Sequence, residues 1–147
     1  MLDLRPMTPA ELDLVCELEL DADTVPYILP TPRAQHETGM ARDDMLYLSI
    51  YRDNRFAGYF ILLLEADGES VELRRIVIAE KGAGTGRKAI TELEGYCRDR
   101  LNRGRIWLDV FDFNDRGMHL YPGLGYGYFG DQHVDGKRLL LFEKILR

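Results

Sequence analysis

Residues 71–101, VELRRIVIAEKGAGTGRKAITELEGYCRDRL, restrict the possible folds more than any other part of this chain. The first nine carry Val71, Ile76, Val77 and Ile78, side chains that suit a pleated, buried strand. Three glycines follow at alternate positions, Gly82, Gly84 and Gly86. Ile90, Leu93, Cys97 and Leu101 then recur at helical spacing, with Ala89 and Tyr96 beside them. Asn102-Arg103-Gly104 supplies residues that tolerate the left-handed turn at a helix end. The stretch reads as strand, glycine turn and amphipathic helix.

A glycine turn entering a helix leaves backbone N–H groups without acceptors, at the end where the macrodipole places about half a positive charge. Glycine lets an anion approach the backbone, and Arg87 adds charge-assisted hydrogen bonds. Two readings are open on these residues alone: a phosphate cradle, or a plain flexible turn. The Walker pattern fails, because Arg87 stands where its second glycine would fall. Gly84-Thr85-Gly86-Arg87-Lys88-Ala89 does fit G-x-G-x-x-A, with Asp109 near the ribose-binding distance. That reading, a dinucleotide-dependent oxidoreductase, needs repeated strand-helix-strand units around the turn, and the chain does not supply them.

The 147 residues suit one domain, 1–147. No run of about 18 apolar residues is present, so no membrane is expected as a partner. The first residues, MLDLRPMTPAE, lack the basic and apolar regions of a signal peptide, which points to a cytoplasmic protein. Cys16 and Cys97 are too few for a disulfide framework and read as packing residues. His36, His119 and His133 show no ligand spacing, so no metal is expected. A net charge of −6 disfavours nucleic acid and suits a cationic small molecule or a basic peptide end.

Residues 2–5 read as a first strand. Thr8-Pro9-Ala10-Glu11 then combines a capping pattern with proline at the first helical position, opening a helix that carries Leu12, Val15 and Cys16. Pro26, Pro30 and Pro32 surround Tyr27, Ile28 and Leu29 in a loop that either lines a binding site or packs on the core. A short helix follows from Thr31-Pro32 to near Gly39. Residues 45–51 and 56–64 are strand-like about the hairpin signal Arg52-Asp53-Asn54-Arg55, and Asp67-Gly68 turns the chain into the strand at 71–79. After the long helix, residues 106–110 follow a helical crossover and are expected parallel to 71–79. A short helix at 114–120, ended by Tyr121-Pro122-Gly123, and strands at 126–133 and 138–146 about Asp135-Gly136 complete the chain.

This order resembles the GCN5-related N-acetyltransferase (GNAT) family over essentially the whole chain. That family's acetyl-CoA signature, Gln/Arg-x-x-Gly-x-Gly/Ala, is matched by Lys81-Gly82-Ala83-Gly84-Thr85-Gly86, with Lys81 as a departure. Its Asn-x-x-Ala-x-x-Leu-Tyr-x-x-x-Gly-Phe segment is similar to the stretch from Asn114 through Leu120-Tyr121 to Gly125-Tyr126, with Gly117 in place of Ala and Pro122 after the tyrosine. The resemblance implies an α/β (α+β mixed) GNAT fold: a central, mostly antiparallel twisted sheet with a splayed parallel strand pair, flanked by helices.

It also implies acetyl-CoA as co-substrate and an N-acetyltransferase moving acetyl to a primary amine by direct attack in a ternary complex. Pantetheine would enter the gap between the splayed strands and bond the backbone of Ile76, Val77 and Ile78. Gly82, Ala83, Gly84, Thr85, Gly86 and Arg87 would hold the pyrophosphate, and Asn114 would touch the pantetheine arm or simply cap the helix. Tyr121 matches the family's general acid, and Glu72 is the carboxylate chosen as base. Glu19, Asp21 and Asp23 flank the proline loop and, with the acidic balance, suggest a small cationic amine or a protein N-terminus as acceptor. A homodimer is allowed. The alternative is a catalytically degenerate acyl-CoA-binding sensor or interaction module.

Overall fold

The computed structural model describes residues 1–21, 30–80 and 84–147. Asp23, Pro26, Tyr27, Ile28 and Leu29 of the proline loop, and Lys81, Gly82 and Ala83 of the glycine turn, lie outside the described residues. The elements are β1 (Leu2–Pro6), a 3₁₀ turn (Pro9–Glu11), α1 (Leu12–Glu19), α2 (Arg33–Met40), β2 (Met45–Arg52), β3 (Arg55–Leu64) and β4 (Ser70–Ile78). They continue with α3 (Thr85–Asp99), β5 (Arg105–Phe111), α4 (Asp115–Gly123), β6 (Gly127–Val134) and β7 (Lys137–Ile145). One sheet holds the seven strands in the order β1-β2-β3-β4-β5-β7-β6. Its only parallel pair, among the described residues, is β4 with β5.

Local chemistry sets most boundaries. Asp53 and Asn54 (φ 52° and 66°) and Asp135 and Gly136 (φ 52° and 76°) build two-residue hairpin turns with both central residues left-handed. Asn102, not Gly104, takes the left-handed position after α3, at φ 53°. The Thr8 amide donates to Glu11 Oε1 at 2.9 Å, so the expected cap forms, but its first turn is 3₁₀ before α1 begins. Strand ends shift by a residue from expectation, and α4 continues through Tyr121 and Pro122 to Gly123. Pro122 sits in the last turn, where its missing N–H removes one ladder bond and the helix ends a residue later.

The sheet is packed on both faces. On one, Leu48, Ile50, Phe60, Leu62, Val71 and Leu73 meet Ala89, Ile90, Leu93 and Cys97 of α3, and Tyr121 of α4 joins them. Each fully buried aliphatic side chain here contributes about 2 kcal/mol. Burial pushes the Cys97 thiol up to about 12, as befits a packing residue. On the other face Tyr47, Tyr59, Ile61 and Val77 pack against Leu12 and Val15 of α1.

The parallel pair opens early. Its register runs from Ser70 opposite Arg105 to Glu72 opposite Trp107, and then the ladder stops. Beyond that point β4 continues to Ile78 against β3, while β5 continues to Phe111 against β7. The β3–β4 register slips at the same place: Leu62 faces Leu73 but Ile61 faces Arg75, leaving Arg74 as an extra residue. Such a bulge bends a strand and increases its twist, which carries β4 away from β5. Further along, Gly58 of β3 lies so close to β4 that a Cβ there would stand 2.1 Å from the Val77 carbonyl oxygen.

Candidate active site

The entrance to α3 forms the first wall. Gly84 caps the helix at φ 76°, and Thr85, Gly86 and Arg87 make its first turn, whose amides point toward the glycine turn. Among the described residues, a Cβ at Gly84 would meet nothing within 4 Å. Thr85 is buried, and its hydroxyl accepts a bond from Arg52 Nη1 at 2.9 Å, which ties the first turn of α3 to the β2–β3 hairpin. Arg87 reaches across to the end of α4, where its Nη2 lies 3.3 Å from the position of a Cβ on Gly123, and it makes no ion pair among the described residues. Arg52 and Arg55, read from the sequence only as hairpin residues, line a cavity of about 660 Å³ with Ala57, Ala79, Glu80 and Thr85 on the hairpin side of this entrance. Asp53 lines it too, so the two guanidiniums stand beside two carboxylates there, a grouping that no sequence pattern marked.

The second wall is α4. Asn114 Oδ1 accepts from the Gly117 amide at 3.1 Å, the helix-capping role, while its side-chain NH₂ makes no hydrogen bond among the described residues. Gly117 is small because a Cβ would stand 2.8 Å from Val110 Cγ1. Tyr121 is 6% exposed and meets the Tyr126 ring edge to face at 5.8 Å. Tyr126 donates to Glu94 Oε2 at 3.0 Å, and Lys144 binds both Glu94 Oε1 at 3.0 Å and the Leu124 carbonyl at 2.8 Å. This set fastens α4 to α3 and β7 and fixes the ring of Tyr121. The Tyr121 hydroxyl itself has no hydrogen bond among the described residues. Burial first, and then the Asp109 carboxylate, push its pKa well above the ordinary tyrosine value.

A set of carboxylates faces the opening. Glu72 occupies the last paired position of β4, with Arg74 Nε 3.7 Å from its Oε2. Burial raises its pKa; Arg74 opposes this, and Asp109 and Glu65 add to it. Asp109 lies on β5 two residues past the last pairing with β4, open to solvent yet surrounded by enough protein to raise its pKa, with Arg74 opposing. Glu65 accepts from Trp107 Nε1 at 2.5 Å. Glu72 is therefore at the root of the gap and Asp109 further inside it. The sequence assigned Asp109 only to the dinucleotide pattern; its place here follows from the β4–β5 register, which no local motif reports.

Ile76, Val77 and Ile78 lie on the part of β4 beyond its separation from β5, where the pantetheine reading needs them. Gly82 and Ala83 lie outside the described residues. Glu19 departs from expectation. It is 1% exposed and accepts hydrogen bonds from His36, Tyr59, Arg75 and the Thr31 amide, so its charge is used internally and cannot draw an amine to the surface. His119 is a surface residue of α4 whose Nδ1 lies 2.8 Å from the Asp115 carbonyl.

The model of the Acetyltransferase (GNAT) family matches residues 12–126. The chain belongs to this family. It is similar to the streptothricin acetyltransferase of Streptomyces lavendulae, 24% identical over 94 residues, which cover 63% of this chain and 49% of that protein. The chain thus spans about half the length of the curated relative it matches. Among solved structures, spermidine N-acetyltransferase from Vibrio cholerae in complex with CoA and spermine superposes with a TM-score of 0.86 at 19% identity, covering 99% of this chain and 95% of that one. Aminoglycoside acetyltransferase AAC(6′)-Ib in complex with coenzyme A gives a TM-score of 0.85 at 16% identity, covering 99% and 95%. These likenesses show the GNAT fold: among the described residues, a mixed seven-stranded sheet with one parallel pair, flanked by four α-helices.

Proposed function

We propose that this protein is an acetyl-CoA-dependent N-acetyltransferase acting on a small, cationic primary amine. The observation that carries the reading is the opening of β4 from β5 directly beside the first turn of α3. Residues 73–77 of β4 present a backbone edge to that opening, an edge that an amide-bearing arm can pair as an added strand. Pantetheine is such an arm. The amides of Gly84, Thr85, Gly86 and Arg87, with the Arg87 guanidinium, then meet the pyrophosphate, and the Asn114 side-chain NH₂ donates to the arm.

The acceptor enters from the carboxylate side. Glu72 and Asp109 hold an ammonium group at the gap; Glu72, its pKa raised, takes the first proton, directly or through a water, to free the lone pair, and the nitrogen sheds its second proton to solvent after attack. The amine nitrogen attacks the thioester carbon, the tetrahedral intermediate collapses, and the C–S bond breaks as the amide forms. Tyr121 stays protonated at rest because its pKa is raised, and its hydroxyl donates to the departing sulfur. A thiolate of ordinary pKa about 8.5 is a weaker base than this phenoxide, so full transfer is uphill and the benefit lies in the bond made as charge develops. Solvent completes protonation of coenzyme A.

The net charge of −6 favours a cation at long range. The similar structures carry amines of this kind: spermine with the Vibrio cholerae enzyme and paromomycin with AAC(6′)-Ib. The test is thiol release from acetyl-CoA with a panel of spermidine, an aminoglycoside, a peptide N-terminus and an anionic amino acid. Release with the cationic amines, falling steeply as salt rises, is expected. Coenzyme A binding without release for any amine would instead support a non-catalytic acyl-CoA sensor. Equal turnover of the anionic amino acid would overturn the acceptor class.

A further inference from the structure

We propose that Glu19 is a positioning residue for the cofactor, holding through Arg75 the bulged part of β4 that separates this strand from β5. The inference rests on the coenzyme A reading above and concerns what keeps that site in shape.

The bulge and the end of the parallel ladder are adjacent: Glu72 is the last residue paired to β5, and Arg74 is the extra residue opposite β3. Arg75 is the first residue back in register. Its guanidinium donates to Glu19 Oε2 at 2.8 Å and to Thr31 Oγ1 at 3.1 Å. Glu19 is fixed in turn from several elements. Tyr59 of β3 donates to Oε2 at 2.5 Å, His36 Nε2 of α2 lies 2.9 Å from the same oxygen, and the Thr31 amide donates to Oε1 at 2.9 Å. Tyr59 is the residue opposite Val77. One carboxylate therefore ties β3 to β4 just where β4 leaves the bulge and enters the stretch Ile76, Val77 and Ile78.

A buried charged hub is a costly way to join two strands, and apolar side chains of similar volume often hold a fold equally well. What the hub adds is direction. Arg75 meets Glu19 Oε2 and Thr31 Oγ1 with the same Nη1, and holding both at once sets the exit angle of the bulge. Burial alone would raise the Glu19 carboxyl, but the bonds from His36, Tyr59 and Thr31 overcome it and hold the group at about 2, so the anchor is charged near neutral pH. Removing the charge takes from the partly buried Arg75 its carboxylate, so its guanidinium settles on its remaining partners and the backbone beside it moves too.

Two variants test this. Glu19→Gln keeps the size of the side chain and removes its charge; Thr31→Val removes one acceptor from Arg75 and leaves the carboxylate. Coenzyme A affinity is measured by calorimetry on fully folded protein, and KM and kcat for acetyl-CoA are measured with spermidine. A misplacement near an ångström at a binding edge predicts a rise in coenzyme A Kd and acetyl-CoA KM of about tenfold or more for Glu19→Gln, and a smaller rise for Thr31→Val, with kcat within about twofold. Phe142→Leu, a destabilised core variant on β7, should leave Kd unchanged. Variants that melt earlier yet bind coenzyme A like the wild type would reduce Glu19 to a stabilising residue and overturn the proposal. If Glu19→Gln does not fold, Thr31→Val decides alone by the same criterion. A wild type that binds no coenzyme A would overturn the functional reading along with the inference.

Discussion

The two sides of β4 treat polar groups in opposite ways. Toward α1 and α2, Glu19, His36, Tyr59 and Tyr47 are buried and bonded to one another, with Tyr47 2.8 Å from His36 Nδ1 and Tyr59 2.5 Å from Glu19. Toward β5 and α4, among the described residues, the hydroxyl of the buried Tyr121 and the NH₂ of the half-buried Asn114 make no hydrogen bond and the exposed Arg87 makes no ion pair. A buried polar group left without a partner costs about 1–3 kcal/mol, and among the described residues only Ser49 Oγ of β2 is in that state, so the open groups beside α4 are ones that solvent reaches and a ligand can claim. The first side is scaffold and the second is site. Burial or an altered pKa alone would not separate them, since both sides have both.

The comparison breaks first at the glycine cap. Gly84→Val places a branched residue at φ 76° and fills the space beside the first turn of α3, so it should abolish measurable coenzyme A binding in calorimetry while the protein still folds. A variant that binds as the wild type does would move the cradle elsewhere. Next is Tyr121→Phe, which removes a hydroxyl that no described residue uses. If it acts mainly in the transition state, kcat should fall by about 10²- to 10⁴-fold with coenzyme A affinity and melting temperature nearly unchanged. A fully active Phe variant would return Tyr121 to the scaffold.

Much of this was legible in the chain. Left-handed turns at Asn54, Asn102 and Gly136 need particular residues, and the parallel crossover through α3 follows from a strand, a helix and a strand in succession. The cradle and the α4 segment are local in sequence, and so could be read. The Glu19 hub could not. Its partners come from positions 31, 36, 59 and 75 on four different segments, and a glutamate beside a proline loop looks like a surface charge until the fold buries it. Asp109 and Arg52 were missed for the same reason, because the strand register and a hairpin reaching back to α3 place them. The end of α4 was misplaced because Pro122 signals a stop that the last helical turn can absorb.

The scaffold side gives a prediction in acid. Glu19 has a folded pKa of about 2 against 4.5 unperturbed, so the unfolded chain binds more protons between these values. Its contribution is fully present above pH 4.5 and is lost as pH falls toward 2, about 3 kcal/mol in all by linkage. Urea melts from pH 5 to 2.5 should show that loss in the wild type and a flatter profile in Glu19→Gln. Equal slopes would mean that the hub does not carry the charge. The smallest effect is expected at Asn114→Ala, where a lost cap costs about 1 kcal/mol of stability and the lost donor weakens acetyl-CoA binding only a few-fold. A stability loss with an unchanged KM would place Asn114 wholly in the scaffold.

Amide hydrogen exchange with and without coenzyme A tests the central claim most directly, because it reads both sides of β4 in one measurement. Saturating coenzyme A should slow exchange at residues 73–78 and in the first turn of α3, and leave the amides of α2 and of β3 around Tyr59 unchanged. Protection confined to α1 and α2, or no change in β4, would contradict the assignment of the open strand edge as the cofactor site.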